Sequence, residues 1–147
     1  MVEQYEYFIK TLQEKIENWL KTEIGETNRW AEYIRKTPDI FRVLVKLSAD
    51  DEVPIAEKAK ITTAITYFVS PMDLIPETFW GAFGFVDDLA LAAYVLDSVS
   101  SVIDPKIYEK YWKGSGMLTD AVQEILQIAE KMVGKEYWQK LKSLIKD

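Results

Sequence analysis

One 45-residue stretch, residues 61–105, carries six carboxylates and no lysine or arginine, although it is otherwise among the most apolar parts of the chain. An unpaired charge buried among apolar side chains costs several kcal/mol, on the order of the stability of a whole domain. A group from outside the stretch must therefore neutralise these acids or bind them through hydrogen bonds. The six acids are Asp73, Glu77, Asp87, Asp88, Asp97 and Asp104.

Length and composition favour one globular domain over residues 1–147. A chain of this size buries roughly two-thirds of the surface that its unfolded form exposes. Its 48% hydrophobic and 29% charged residues exclude a disordered protein. The net charge of −6 argues against a nucleic-acid partner, because phosphate binding needs clustered lysine and arginine.

The chain contains no cysteine and no histidine. This excludes disulfides, thiolate nucleophiles, Ser-His-Asp relays and metals held by imidazole. A bound metal would be a hard cation such as Mg²⁺, Mn²⁺ or Ca²⁺ on oxygen ligands. We therefore expect no cofactor, with such a cation as the alternative.

The sequence predicts a cytoplasmic protein. Glu3 and Glu6 stand where a signal peptide would be basic. The longest charge-free run, residues 61–72, has 12 residues, whereas a spanning helix needs about 20. Peripheral membrane contact remains open, and a membrane-embedded hairpin of two short apolar segments is the alternative.

Apolar residues recur at helical spacing, which predicts an all-α fold of six to eight helices in one compact bundle. The fourth and fifth helices are expected to form an antiparallel hairpin around an irregular connection, residues 73–84. The predicted boundaries are a first helix from Val2 to Leu20 that Gly25 ends, a second capped by Thr27 or Asn28, a third capped by Thr37, a fourth from Pro54 to about Ser70, a fifth over about 85–101, a short sixth from Asp104, and two terminal helices over 117–133 and 135–146.

Two motifs flank that connection: Tyr-Phe-Val-Ser-Pro-Met-Asp-Leu-Ile-Pro at 67–76, and Gly-Phe-Val-Asp-Asp-Leu-Ala at 84–90. Together they resemble the signature of the YkvA-like bacterial and archaeal family, the domain of unknown function DUF1232, over about residues 53–98. Met72 stands where the family usually has isoleucine. The resemblance implies that Asp73, Asp87 and Asp88 are the motif acids and suggests membrane association, but it implies no reaction or ligand.

The residues themselves allow three interpretations of these acids. In the first, which we favour, Asp73 caps the turn after Pro71, while Asp87 and Asp88 accept amide hydrogen bonds in the first turn of the fifth helix. In the second, compatible with the first, the acids pair with arginines, which bind carboxylates in a bidentate manner. The three arginines of the chain are Arg29, Arg35 and Arg42.

The third interpretation adds Glu77 and brings the four acids together on a hard cation, which could activate water for hydrolysis. A separate question concerns Phe79, Trp80 and Phe83, which form either an exposed tip that contacts a partner or membrane, or part of the core. We favour the core. The same choice applies to the last helix, whose apolar stripe is flanked by Lys135, Lys140, Lys142 and Lys146.

The leading functional hypothesis is a non-enzymatic interaction or structural module, positioned peripherally at a membrane, whose partner is a protein or a membrane surface. The alternative is a hydrolase that uses Mg²⁺ or Mn²⁺ on the carboxylate cluster, and a calcium-dependent regulator is a weaker third. For the hairpin we predict that its apolar residues are buried within the protein. These residues are Ile61, Ile65, Phe68, Leu89, Ala93 and Leu96.

Overall fold

Every regular element in the described part of the chain is a helix, which confirms the predicted all-α class. The computed structural model describes residues 5–22, 29–74 and 82–145. For residues 70–74 and 82–86 it describes the backbone alone. The helices within these ranges are α1 (Glu6–Leu20), α2 (Ala31–Ile34), α3 (Thr37–Ser48), α4 (Ile55–Leu74), α5 (Ala82–Ser100), α6 (Pro105–Glu109), α7 (Leu118–Val133) and α8 (Lys135–Ser143).

Helix α5 lies at the centre of the fold. It packs against α2, α3, α4, α7 and α8, and residues 88–93 are buried without interruption. A helix surrounded on all sides needs apolar residues on more than one face. This explains why the apolar residues of α5 do not form a single stripe.

Helices α4 and α5 form the predicted antiparallel hairpin. Near the start of α4, Lys60 Nζ donates to Ser98 Oγ near the end of α5 at 3.1 Å. At the other end of the hairpin, Tyr67 of α4 lies close enough to Asp87 of α5 for the Asp87 charge to raise the pKa of Tyr67. The six apolar residues that we expected to be buried are all at most 4% exposed, namely Ile61, Ile65, Phe68, Leu89, Ala93 and Leu96.

Aromatic contacts join α1 and α3 to the hairpin. The ring of Phe41 on α3 lies 4.8 Å from that of Phe8 on α1 and 5.1 Å from that of Phe68 on α4, centroid to centroid. Such pairs add about 0.5 to 1.5 kcal/mol beyond the area they bury. Phe41 therefore connects three helices of the core.

The last helix, α8, packs part of its apolar stripe onto the core. Trp138 and Leu141 are buried, and the ring of Trp138 meets that of Tyr94 edge-on with 5.8 Å between centroids. Lys142 Nζ lies 5.4 Å from the Trp138 ring centroid. This is the arrangement expected when lysine stems lie beside a core. Lys146 lies outside the described residues.

The hairpin helices are longer than predicted, because proline did not end α4. Helix α4 continues past Ser70 and through Pro71 to Leu74, and α5 begins at Ala82 instead of residue 85. Proline removes one backbone donor, which a helix can survive where the rest of the turn is intact. Residues 75–81, which follow α4 in the sequence, lie outside the described ranges.

Thr37 does not cap α3 as predicted. Lys36 precedes it in near-helical geometry (φ −81°, ψ −8°), so no extended residue is available to bring a side-chain oxygen onto the first amides. The hydroxyl of Thr37 is buried without a hydrogen-bond partner. Helix α1 ends at Leu20, and Gly25, Thr27 and Asn28 lie outside the described residues.

The other capping prediction is confirmed. Asp104 precedes α6 in extended geometry, and its Oδ1 accepts from the Lys106 amide at 2.8 Å. Across residues 5–22, 29–74 and 82–145, no helix combines the length and apolar composition that crossing a membrane requires.

Candidate functional site: a buried carboxyl pair

The motif acids Asp87 and Asp88 lie in the second turn of α5. The helix begins at Ala82, and its first turn contains no acidic residue. Amides from the second turn onward already bind carbonyls of their own helix, so these carboxyls cannot serve as N-terminal caps. The capping interpretation is therefore wrong for both. At Asp73 the backbone continues α4 instead of turning after Pro71, and the side chain lies outside the described residues, so its capping role stays a prediction.

Asp88 is a core residue. It is 2% exposed, and its Oδ1 has no hydrogen-bond partner. Burial raises the pKa of Asp88 well above its usual range, and the neighbouring charge of Asp87 raises it further. Both causes act against the ionised form, because a carboxylate in an apolar setting loses its hydration. This carboxyl is therefore held in an environment that favours the protonated state.

Asp87 is half-buried and hydrogen-bonded to Tyr137 of α8. Burial raises the pKa of Asp87 to about 6, even though the hydrogen bond from Tyr137 lowers it. Desolvation therefore outweighs the hydrogen bond. An aspartic acid with a pKa near 6 changes its charge close to neutral pH.

Two tyrosine hydroxyls form a chain that ends on Asp87. The hydroxyl oxygens of Tyr67 and Tyr137 lie 2.6 Å apart. Because an ionised carboxylate can only accept, Tyr137 donates its proton to Asp87 and its oxygen accepts from Tyr67. Burial raises the pKa of both tyrosines. This chain of hydrogen bonds connects α4, α8 and α5 at one end of the hairpin.

The arginines contact other groups. Arg42 Nη1 lies 3.3 Å from Asp39 Oδ1, one turn away on α3, and the guanidinium of Arg29 lies 4.4 Å from the Trp30 ring centroid. Arg35 lines a cavity of about 250 Å³ between α1 and α3. Among the described residues no ion pair joins an arginine to Asp87 or Asp88. For Asp73 the pairing stays a prediction.

Two other acids of the base-free stretch have partners. Asp97 Oδ1 accepts from Gln123 Nε2 of α7 at 2.6 Å, and Asp104 caps its own helix. Uncharged donors therefore bind Asp87, Asp97 and Asp104. In the part of the chain that the structure describes, the unpartnered Oδ1 of Asp88 is the exception within this stretch.

The four-acid cation site stays a prediction. In the described ranges, no group of three or more histidine, cysteine or acidic side chains is placed to hold a metal ion. The Asp73 side chain and Glu77 lie outside the described residues. The same holds for Phe79, Trp80 and the Phe83 side chain, so their exposure is also untested.

Sequence reasoning did not find the tyrosines of the site. Tyr67 belongs to the first motif, but its role was not inferred. Tyr137 appears in the sequence only as one member of the apolar stripe of the last helix. No local pattern links it to α5, because helical spacing predicts which face is buried and not which residue lies opposite.

The fold and the site define an all-helical protein built around a hairpin that bears a buried carboxyl pair. The family model described as "Protein of unknown function (DUF1232)" matches residues 57–94. "Uncharacterized protein ORF9" of Methanothermobacter thermautotrophicus is 30% identical over 110 residues, which cover 75% of this chain and 73% of that protein. The chain belongs to the DUF1232 family. No solved structure matches it.

Proposed function

We propose that this protein is a non-enzymatic interaction module whose binding end is the pair Asp87 and Asp88, and that its ligand carries positive charge. One observation carries the proposal: Asp88 is buried with an unpartnered oxygen, beside a second acid. Among the described residues no basic side chain forms an ion pair with either acid. A positive ligand would supply the missing counter-charge.

A buried carboxyl without a partner lowers stability, and replacing such groups by apolar residues often stabilises a fold. Strongly perturbed acids are therefore concentrated at sites that act on something else. A bound positive group would favour the ionised forms and offset the desolvation cost. The pair thus contributes more to a complex than to the fold alone.

The described hydroxyls support a non-enzymatic role. A serine nucleophile needs a neighbouring base that can accept its proton, and this chain has no histidine. Serine hydroxyls at four positions instead donate to the carbonyl three residues earlier, over 2.6 to 2.8 Å. These serines are Ser48, Ser100, Ser101 and Ser143. Their hydroxyls are engaged in local structure.

The binding proposal can be tested with a fluorescently labelled oligoarginine peptide. The paired substitution Asp87→Asn and Asp88→Asn removes two charges from the site. Glu14→Gln with Glu130→Gln removes two charges from exposed positions and is the matched control. We expect the site variant to bind about tenfold more weakly than the control, as measured by anisotropy. Equal binding by the two variants would show that only the net charge matters.

The peripheral position at a membrane is supported by the edge where α4 meets α8. Ile55 is 85% exposed and Leu144 is 48% exposed, and Leu144 lines a cavity of about 180 Å³ together with Ala56 and Ala59. The nearby lysine Lys140 is exposed. Exposed apolar residues with lysines beside them suit the interface of an anionic bilayer.

Sedimentation with vesicles tests this position. Phosphatidylcholine vesicles with and without phosphatidylserine would be compared, and Leu144→Glu would be compared with the wild type. We expect retention that needs phosphatidylserine, falls at high salt and is lost in the variant. No retention on either vesicle would contradict a peripheral position.

A hydrolase that uses Mg²⁺ or Mn²⁺ is the second candidate. It is favoured by the pKa of Asp87, about 6, which suits a general base near neutral pH. The test is release of p-nitrophenol from p-nitrophenyl phosphate with either metal. Turnover that Asp87→Asn abolishes would support the enzyme. Turnover that survives this substitution, or none at all, would leave the interaction module as the better proposal.

A further inference from the structure

The cavity of about 250 Å³ between α1 and α3 is a second candidate site, and none of the described residues that line it belongs to α5. A cavity of about 150 Å³ is already large enough to take up benzene, whereas drug-sized ligands occupy about 300 to 1,000 Å³. The volume between α1 and α3 therefore suits a molecule of the size of an amino acid.

The α1 wall of this cavity combines an apolar floor with a polar rim. Its residues are spaced at i, i+3, i+4 and i+7, which places them on one face of the helix. Ile16 is buried at the floor, whereas Gln13 and Glu17 are exposed at the rim. The four residues of this wall are Gln13, Ile16, Glu17 and Leu20.

The opposite wall repeats this division. It consists of Arg35 at the end of α2 and of Pro38 and Asp39 at the start of α3. Pro38 is buried, and Arg35 is exposed. The carboxylate of Asp39 already pairs with Arg42. Buried apolar residues therefore lie below charged groups on both walls.

Arg35 and Glu17 carry opposite charges on this cavity without forming an ion pair. In the described part of the chain, no ion pair includes either residue. The Arg35 guanidinium forms no hydrogen bond with a described residue, and the Glu17 carboxylate accepts a long one, at 3.5 Å, from Gln13 Nε2. Both charged groups are therefore available to a ligand.

These groups define the chemistry of that ligand. A guanidinium binds a carboxylate through two parallel hydrogen bonds, and a carboxylate binds an ammonium group. The apolar floor favours an apolar side chain, because each buried methylene group strengthens binding by about fourfold. We propose that the cavity binds a free apolar α-amino acid. Its carboxylate lies at Arg35, its ammonium group at Glu17, and its side chain on the floor.

The test is NMR titration of the full chain, labelled with nitrogen-15, with L-leucine and three analogues that each lack one group. Glycine lacks the side chain, 4-methylpentanoate lacks the ammonium group, and 3-methylbutylamine lacks the carboxylate. Ion pairs at exposed positions contribute little, so we expect a Kd of about 1 mM for leucine and binding about threefold to fivefold weaker for the acid and the amine. Glycine should bind at least about tenfold more weakly.

Two substitutions show which residue binds which group of the ligand. In Arg35→Gln, leucine should lose its advantage over 3-methylbutylamine, because the partner of the carboxylate is gone. In Glu17→Gln, leucine should lose its advantage over 4-methylpentanoate. Each comparison isolates one contact between protein and ligand, since the ligand group and the side chain are removed separately and together.

Arg29→Gln and Glu14→Gln are the matched controls. They remove the same two charges from exposed residues that do not line the cavity, and leucine should keep both advantages in them. Circular dichroism shows whether each variant folds. The comparison of leucine with its analogues in the wild type depends on no variant.

The proposal is overturned if leucine shifts no resonance up to about 10 mM, tenfold above the expected Kd. It is equally overturned if glycine binds as tightly as leucine, or if leucine keeps both advantages in Arg35→Gln and Glu17→Gln. A preference for 4-methylpentanoate over leucine would also overturn it, because the site would then take an apolar acid. The oligoarginine experiment is independent of these outcomes, since it depends on Asp87 and Asp88.

Discussion

The hydroxyl of Tyr137 on the last helix donates a hydrogen bond to Asp87 on the central helix. This single contact joins the C-terminal helix to the motif acids. It also lowers the pKa of Asp87, against a larger increase caused by burial. Folding of α8 onto the core and the charge of the carboxyl pair are therefore coupled.

Tyr137→Phe should destabilise the protein and raise the pKa of Asp87. The substitution removes the donor to Asp87 and the acceptor of the Tyr67 hydroxyl, which is partly buried. Loss of one such bond with a group left unsatisfied costs about 1 to 2 kcal/mol. Urea unfolding measures the stability, and carbon-detected NMR titration measures the Asp87 pKa, which should exceed its value of about 6.

The matched control is Tyr7→Phe, which removes the same hydroxyl from a residue that is 80% exposed. Its stability should be within about 0.5 kcal/mol of the wild type. An Asp87 pKa that stays constant or falls in Tyr137→Phe would show that the hydrogen bond does not favour the ionised acid.

The carboxyl pair should make the wild type lose stability as the pH rises. Both pKa values are higher in the folded state than the ordinary value of 3.8. Their contribution is therefore fully present below about pH 4 and is lost as the pH rises through the folded values, which for Asp87 means about pH 6. In the Asp87→Asn, Asp88→Asn variant this loss should disappear.

Thermal unfolding in EDTA from pH 4 to 8 measures this effect as the difference between wild type and variant. For Asp87 alone we expect about 1 to 2 kcal/mol, allowing for solvent screening of a half-buried group. Parallel pH profiles of the two proteins would exclude the pair as the source of the dependence.

Asp50 should show the opposite pH dependence. The hydrogen bond from the Tyr111 hydroxyl, at 2.6 Å, is the main cause that lowers the pKa of Asp50. The contribution of Asp50 to the stability of the fold is present above its ordinary pKa. It is lost as the pH falls through the lower pKa that Asp50 has in the folded protein. Tyr111→Phe should therefore reduce the loss of stability between about pH 5 and 2.

Acid unfolding of Tyr111→Phe, compared with the wild type, measures this contribution. Asp51→Asn is a neighbouring exposed control that should leave the acid profile unchanged. If Asp51→Asn and Tyr111→Phe alter the profile equally, the effect comes from the general charge of the loop and not from the hydrogen bond.

Gly114→Ala should destabilise the turn before α7. A Cβ atom at this position would overlap the indole of Trp112, with only 2.8 Å to its Cε2. Steric overlap of this kind costs about 1 to 3 kcal/mol. Trp112→Leu, made in the Gly114→Ala background, should recover part of that loss, and denaturant unfolding of both single variants and the double variant measures the coupling. Strict additivity of the two effects would contradict a direct clash.

The parts of the fold that could be predicted are those that depend on local patterns. The apolar residues of α4 and α5 predicted the burial of the hairpin, and Gly134, with φ +92°, separates α7 from α8 as expected. Pro71 and Thr37 gave wrong boundaries. In both cases the backbone continued in helical geometry across a residue that usually marks an end.

The site was only half predictable for a different reason. Its acids could be found because an acidic segment without any base is visible in the sequence. Tyr137 could not be assigned, because a contact between distant helices depends on how they pack. The arginines were expected to pair with the motif acids because of their charge alone. In the structure Arg42 pairs instead with Asp39, one turn away on α3.

The family match ends at residue 94, whereas the hydroxyl that binds Asp87 comes from residue 137. The part of the fold that orients Asp87 therefore extends beyond the segment that the family model matches. If a gene fusion moved only residues 57–94 into another protein, the host would have to contribute its own donor at that end of the hairpin. In such a fusion, the residue that binds the first acid of the pair would be the feature to look for.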